Sequence, residues 1–195
     1  MRKKSHISLA RDIVRNSEDE GLRKHKWAFY LGSILPDIKP SFLYKKHEID
    51  GTFEQVKKEV RELSDSHGKY REHATKYYRD LGQITHYIAD YFTYPHNKIY
   101  PGSLKDHCSY EEKLKRDLRK YIRTDAAKPH KADHLEFNSA RNLCDFIQKS
   151  HDDYLVRKHD VEDDIHHIVE VNYKAMETMI HLLAEKRAEF RLKHS

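Results

Sequence analysis

Residues 81–111 read LGQITHYIADYFTYPHNKIYPGSLKDHCSYE, and they place His86, Asp90, His96, His107 and Glu111 close together in sequence. His86/Asp90 and His107/Glu111 are each spaced i,i+4. On an α-helix that spacing puts both side chains on one face, with Cβ atoms about 5–6 Å apart, so an imidazole and a carboxylate can share one ion. Leu81, Ile84, Ile88 and Tyr91 recur at three- and four-residue intervals, which predicts a helix with His86 and Asp90 on a separate stripe. Pro95 lacks the N–H that helix continuation needs, so the helix ends there and His96 falls just beyond it. Pro101 and Gly102 turn the chain, and a second helix carrying His107 and Glu111 starts near Ser103 or Asp106. Two ligand-bearing helices joined by a short histidine corner make a mouth for a two-metal site.

The strings H-Y-I-A-D-Y-F-T-Y-P-H and H-C-S-Y-E resemble the zinc-dependent phospholipase C family, whose superfamily also holds single-strand nucleases on a trinuclear zinc helical fold. The resemblance implies an all-α fold and zinc as cofactor. It also implies roles for two residues outside the central stretch, Asp37 in ILPD and His47 in KKHEIDG. The implied grouping is Asp37, His47, His86 and Asp90 on one zinc and His96, His107 and Glu111 on a second. Both are mixed nitrogen and oxygen sets that suit zinc and leave room for water. A third zinc in the family takes the amino group and carbonyl of an N-terminal tryptophan, a nearby histidine and the carboxylate equivalent to Asp90. His6 matches that histidine, whereas Met1 stands in the tryptophan's place.

The remaining chain fits this picture. Its 195 residues suit one domain, 1–195, and its composition, 35% charged with only 6 Gly and 5 Pro, suits helices with wide solvated faces. Apolar periodicities predict about seven helices: around Ile7–Val14; through Trp27 to Ile34, stopped by Pro36; around Phe53–Leu63; a long one after Gly68 to about Thr93; Tyr110–Ile122; Leu135–Val156; and Ile165–Leu183 followed by a fraying tail over 185–195. Residues 39–50 and 123–133 read as connectors, and no strand alternation is visible. The 13 tyrosines are expected to bury their rings and keep their hydroxyls at polar partners. Two cysteines are too few for a disulfide framework, and Cys108 is expected to pack rather than ligate. His130, His134, His151, His159, His194 and the pair His166/His167 lack a completing carboxylate set and read as surface.

No stretch approaches the ~20 apolar residues of a membrane span, and the basic N-terminus lacks a signal-peptide core, so the expectation is a cytoplasmic protein. A net charge of +5 favours anionic partners. The resemblance implies hydrolysis of a phosphodiester, of the phospholipase C type, possible at a membrane surface, with Asp37 ligating metal or deprotonating the attacking water. A nuclease or nucleotide phosphodiesterase on the same fold is the alternative enzyme. Glu111 matches the phospholipase branch, where nucleases usually carry Asp. A metal-stabilised helical binding module is the alternative of another class, and a closed, fully liganded site would mark it.

Overall fold

The computed structural model describes residues 1–38, 48–65, 73–124, 137–157 and 159–193. Among the described residues the chain forms eight α-helices: α1 Lys3–Asn16, α2 Glu20–Lys24, α3 Lys26–Gly32, α4 Ile49–Asp65, α5 Ala74–Tyr91, α6 Leu104–Tyr121, α7 Ala140–Leu155 and α8 Val161–Lys193. One turn of 3-10 helix, Tyr94–His96, joins α5 to α6. No strand occurs among the described residues. The fold is all-α, as expected. No described helix is long and apolar enough to cross a membrane.

α5 is the central helix. Every residue from Tyr77 to Tyr91 except Arg79 is buried, because α1, α3, α4 and α8 all pack on it. The apolar stripe Leu81, Ile84, Ile88 is therefore one part of a helix enclosed on all sides. The polar residues His86 and Asp90 lie at zero exposure, where they need partners.

α3 runs against α5 at a distance only glycine permits. A Cβ on Gly32 would stand 1.9 Å from the Arg79 carbonyl oxygen, and one on Gly82 would stand 2.3 Å from the Phe29 carbonyl oxygen. This crossing brings the chain after α3, which carries Ser33 and Asp37, up to His86.

Several boundaries differ from expectation. A short helix, α2, precedes the expected second helix, which ends at Gly32; the chain leaves helical geometry at His25 between the two, and Asp19 caps α2 by accepting from the Leu22 amide at 2.5 Å. The sixth begins only at Ala140, because the Ser139 hydroxyl caps it there. The last runs to Lys193 rather than ending near Leu183, through residues of high helix propensity and a Lys186–Glu189 pair. The start of α6 lies where expected, set by a reciprocal Ser103/Asp106 capping box.

Candidate metal centre

His86 is oriented by the helix-to-helix contact just described. Its Nδ1–H donates to the Ser33 carbonyl at 2.9 Å, which leaves the Nε2 lone pair turned the other way. That lone pair faces Asp90 Oδ2 at 3.1 Å and Asp37 Oδ1 at 3.7 Å. An imidazole lone pair aimed at two carboxylates is repulsive unless a proton or a metal ion lies between them.

His6, on the first turns of α1, stacks on His86 with ring centroids 3.9 Å apart, and its Nε2 stands 3.3 Å from Asp90 Oδ1. Both His6 ring nitrogens are buried without a hydrogen-bond partner. Burial, and then the neighbouring His86, lower its pKa to about 3, so the ring is held neutral with a lone pair available. His6, His86 and Asp90 offer ligand atoms all within 4.8 Å of one another.

A second set stands alongside. His96 Nε2 is 3.1 Å and His107 Nε2 3.3 Å from Glu111 Oε1, and these three form a group as close as the first. Here the side chains are only partly covered, His107 being 29% exposed. His96 comes from the 3-10 turn, while His107 and Glu111 come from one face of α6, as their spacing requires.

The α-amino nitrogen of Met1 lies between the two sets, 2.7 Å from Asp90 Oδ1, 2.7 Å from His96 Nε2 and 3.1 Å from Glu111 Oε1. Burial alone would make its ammonium more acidic. The Asp90 and Glu111 carboxylates outweigh that and raise its pKa. In return the ammonium, with His96 and His86, holds Asp90 well below the usual carboxylate range against the effect of burial. Glu111 is lowered in the same way, burial opposing and His96 and the Met1 ammonium prevailing. His96 is lowered by burial and then by that ammonium. Both carboxylates are thus ionised and the histidines His6 and His96 neutral, which are the protonation states metal ligation needs.

Of the eight candidate residues, the structure gathers His6, Asp37, His86, Asp90, His96, His107 and Glu111 into one contiguous cluster, and His47 lies outside the described residues. Cys108 is exposed rather than packed, because it faces away from the His107/Glu111 side of α6. Three histidines expected on the surface are not there. His151 is buried at 1%, held by Asn97, while His167 and His159 are partly buried and stack on Phe92 and Tyr94.

Those residues belong to a support that the sequence reading missed. Asn97 Nδ2 donates to the carbonyls of Tyr91 and Thr93, both at 3.1 Å, while its Oδ1 accepts from His151 Nε2 at 2.9 Å, so α7 braces the corner that bears His96. From α8, the buried Asp164 accepts from the Tyr94 amide at 2.8 Å, the Tyr110 hydroxyl at 2.9 Å and the Tyr154 hydroxyl at 2.7 Å. Tyr94 is two residues from His96, and Tyr110 is next to Glu111. One carboxylate therefore ties the histidine corner to the helix that carries its partners.

The fold and the cluster define a helical protein with two adjoining sets of nitrogen and oxygen donors. The chain belongs to the zinc-dependent phospholipase C family, whose model matches residues 5–161. No curated protein and no solved structure matches it. The donor set fits the family's zinc. Neutral imidazoles and ionised carboxylates converge, and His6 is a buried imidazole with no other partner.

Proposed function

We propose that the protein is a zinc-dependent phosphodiester hydrolase of the phospholipase C type. The observation that carries this reading is the pairing of a buried donor set with an adjoining, partly exposed one, so that one side of the centre is the side open to solvent. A purely structural zinc site is closed by four protein ligands, whereas a catalytic one keeps a position open. His96, His107 and Glu111 supply three.

In this reading His6, His86 and Asp90, with Asp37 and His47, hold zinc on the buried side, and His96, His107 and Glu111 hold it on the open side. Zinc so held acidifies water and offsets negative charge on phosphoryl oxygens. Asp37, 3.7 Å from His86 Nε2, would ligate the metal or orient the attacking water and accept its proton. Ser33 keeps His86 in the tautomer that presents Nε2 to the centre. Asp164 keeps His96 and Glu111 in register. The products are an alcohol and a phosphomonoester.

The test is turnover by zinc-loaded protein on a panel of a chromogenic phosphodiester, a water-soluble short-chain phosphatidylcholine and single-stranded DNA. Release of phosphorylated head group that stops on chelation and returns with zinc is expected. Cleavage of DNA alone would move the reading to the nuclease alternative, and no turnover of any substrate by fully loaded protein would overturn it.

A further inference from the structure

Among the described residues, five of the seven exposed large apolar residues lie on the two segments that carry candidate ligands. They are Trp27, Leu31 and Ile38 on the α3 side and Ile99 and Leu104 on the corner side. The α3 group is the more coherent. Trp27 and Leu31 are spaced i,i+4 on α3, so they share its outer face, at 70% and 48% exposure. Tyr30 packs edge-on to Trp27 with centroids 5.6 Å apart, and Ile38 extends the apolar surface to the residue beside Asp37.

The opposite face of α3 is immobilised by the glycine crossing with α5. Trp27 and Leu31 are thus presented by a rigid element and have no room to fold inward. Around them the exposed charges of α2 and α3 are Arg23, Lys24 and Lys26 against the single carboxylate Glu20. Lys26 Nζ lies over the Trp27 ring, 5.9 Å from its centroid. An outward Trp, backed by a half-buried Tyr, with an aliphatic neighbour and a basic rim is a side-chain set that settles at the boundary between lipid headgroups and acyl chains.

We infer that the outer face of α3, from Trp27 through Leu31 to Ile38, docks on the surface of a bilayer containing anionic phospholipid. Trp27 and Leu31 enter the headgroup boundary, while Arg23, Lys24 and Lys26 face the lipid phosphates. This rests on the proposed function only in the choice of a lipid surface as the partner. Docking on this face brings the rim at Asp37 and Ile38 towards the lipid.

Trp27 is the only tryptophan in the chain, so its fluorescence reports on this face alone. Zinc-loaded full-length protein is mixed with phosphatidylcholine vesicles, with or without phosphatidylglycerol, and followed by Trp emission, by quenching with brominated lipid and by co-sedimentation. The expected result is a blue shift and lipid quenching that strengthen with phosphatidylglycerol and weaken with salt. Lys24→Ala and Lys26→Ala should each weaken co-sedimentation about fivefold. Trp27→Ala and Leu31→Ala should weaken it further, and Val156→Ser, a change at a still more exposed residue of the α7 end, should not.

Hydrolysis of a monomeric short-chain phospholipid should be unchanged in the α3 variants while hydrolysis of vesicles falls. Turnover of the soluble substrate without any vesicle binding would overturn the docking face and leave the proposed activity standing. Vesicle binding without turnover would do the reverse. Wild-type vesicle binding by the α3 variants, or a change of oligomeric state in Trp27→Ala, would show that the face serves another purpose.

Discussion

The two donor sets adjoin one another but are built differently. His6, His86 and Asp90 are buried and come from α1 and α5, which meet through long-range packing. His96, His107 and Glu111 are partly exposed and come from a turn and one helix close together in the chain. The buried set is thus part of the core and should govern stability. The open set is held from behind by Asp164 and Asn97 and should govern turnover. The difference predicts which substitutions unfold the protein and which only silence it.

The largest effect is expected at Asp90, which touches both sets. Asp90→Asn removes the charge that faces His6, His86 and the Met1 ammonium. Breaking a buried charge cluster from one side costs about 3–5 kcal/mol, so urea unfolding should shift strongly and zinc content should fall. Unaltered stability and zinc content would show that the buried set holds no ion.

Glu111→Gln keeps shape and loses charge in the open set. Activity should fall at least about a hundredfold, with partial recovery on added zinc and little change in unfolding, because damage to a centre's charge stabilisation acts on turnover. In a surface ion-pair role Glu111 would be worth only about 0.2–1 kcal/mol, and neither activity nor zinc would move.

Asp164→Asn leaves every candidate ligand in place and puts an amide where three donors converge. Loss of such an orienting partner costs about 10–100-fold in metal affinity. The loss should appear in the open set only, read as weaker zinc retention in competition with a chelator. Asp12→Asn, at the Tyr173 contact between α1 and α8, provides a control for general destabilisation.

The smallest effect, per pH unit, is on the pH dependence of the metal-free protein. His6 has a folded pKa of about 3 against an ordinary value of 6.5. A depressed folded pKa contributes stability above 6.5 that is lost as pH falls towards 3. The unfolding free energy should therefore decline by at most about 1.4 kcal/mol per pH unit from this group, and His6→Gln should flatten that slope in chemical denaturation.

How much of this was legible in the sequence follows the same division. His86/Asp90 and His107/Glu111 could be read because each pair lies on one helix, where spacing alone dictates proximity. The apolar periods located α1, α4, α5 and α6 because their core faces repeat regularly. His6 and Asp37 were reached only through resemblance, since their approach to Asp90 and His86 depends on the packing of α1 and α3 on α5. Asp164, Asn97 and His151 were missed because their partners lie on other elements and no spacing signals them. One clue existed. A chain with 13 tyrosines needs buried acceptors for the hydroxyls, and Asp164 serves two of them, Tyr110 and Tyr154.

The most direct test of the two-set account is a stepwise chelation of the purified protein, with zinc content, phosphodiester turnover and helical circular dichroism followed together. The account predicts at least two zinc equivalents. The first to leave comes from the open set and takes activity with it while the helices persist, and removal of the rest lowers thermal stability. Less than one equivalent of zinc in active protein, or turnover that survives complete removal of the metal, would contradict it.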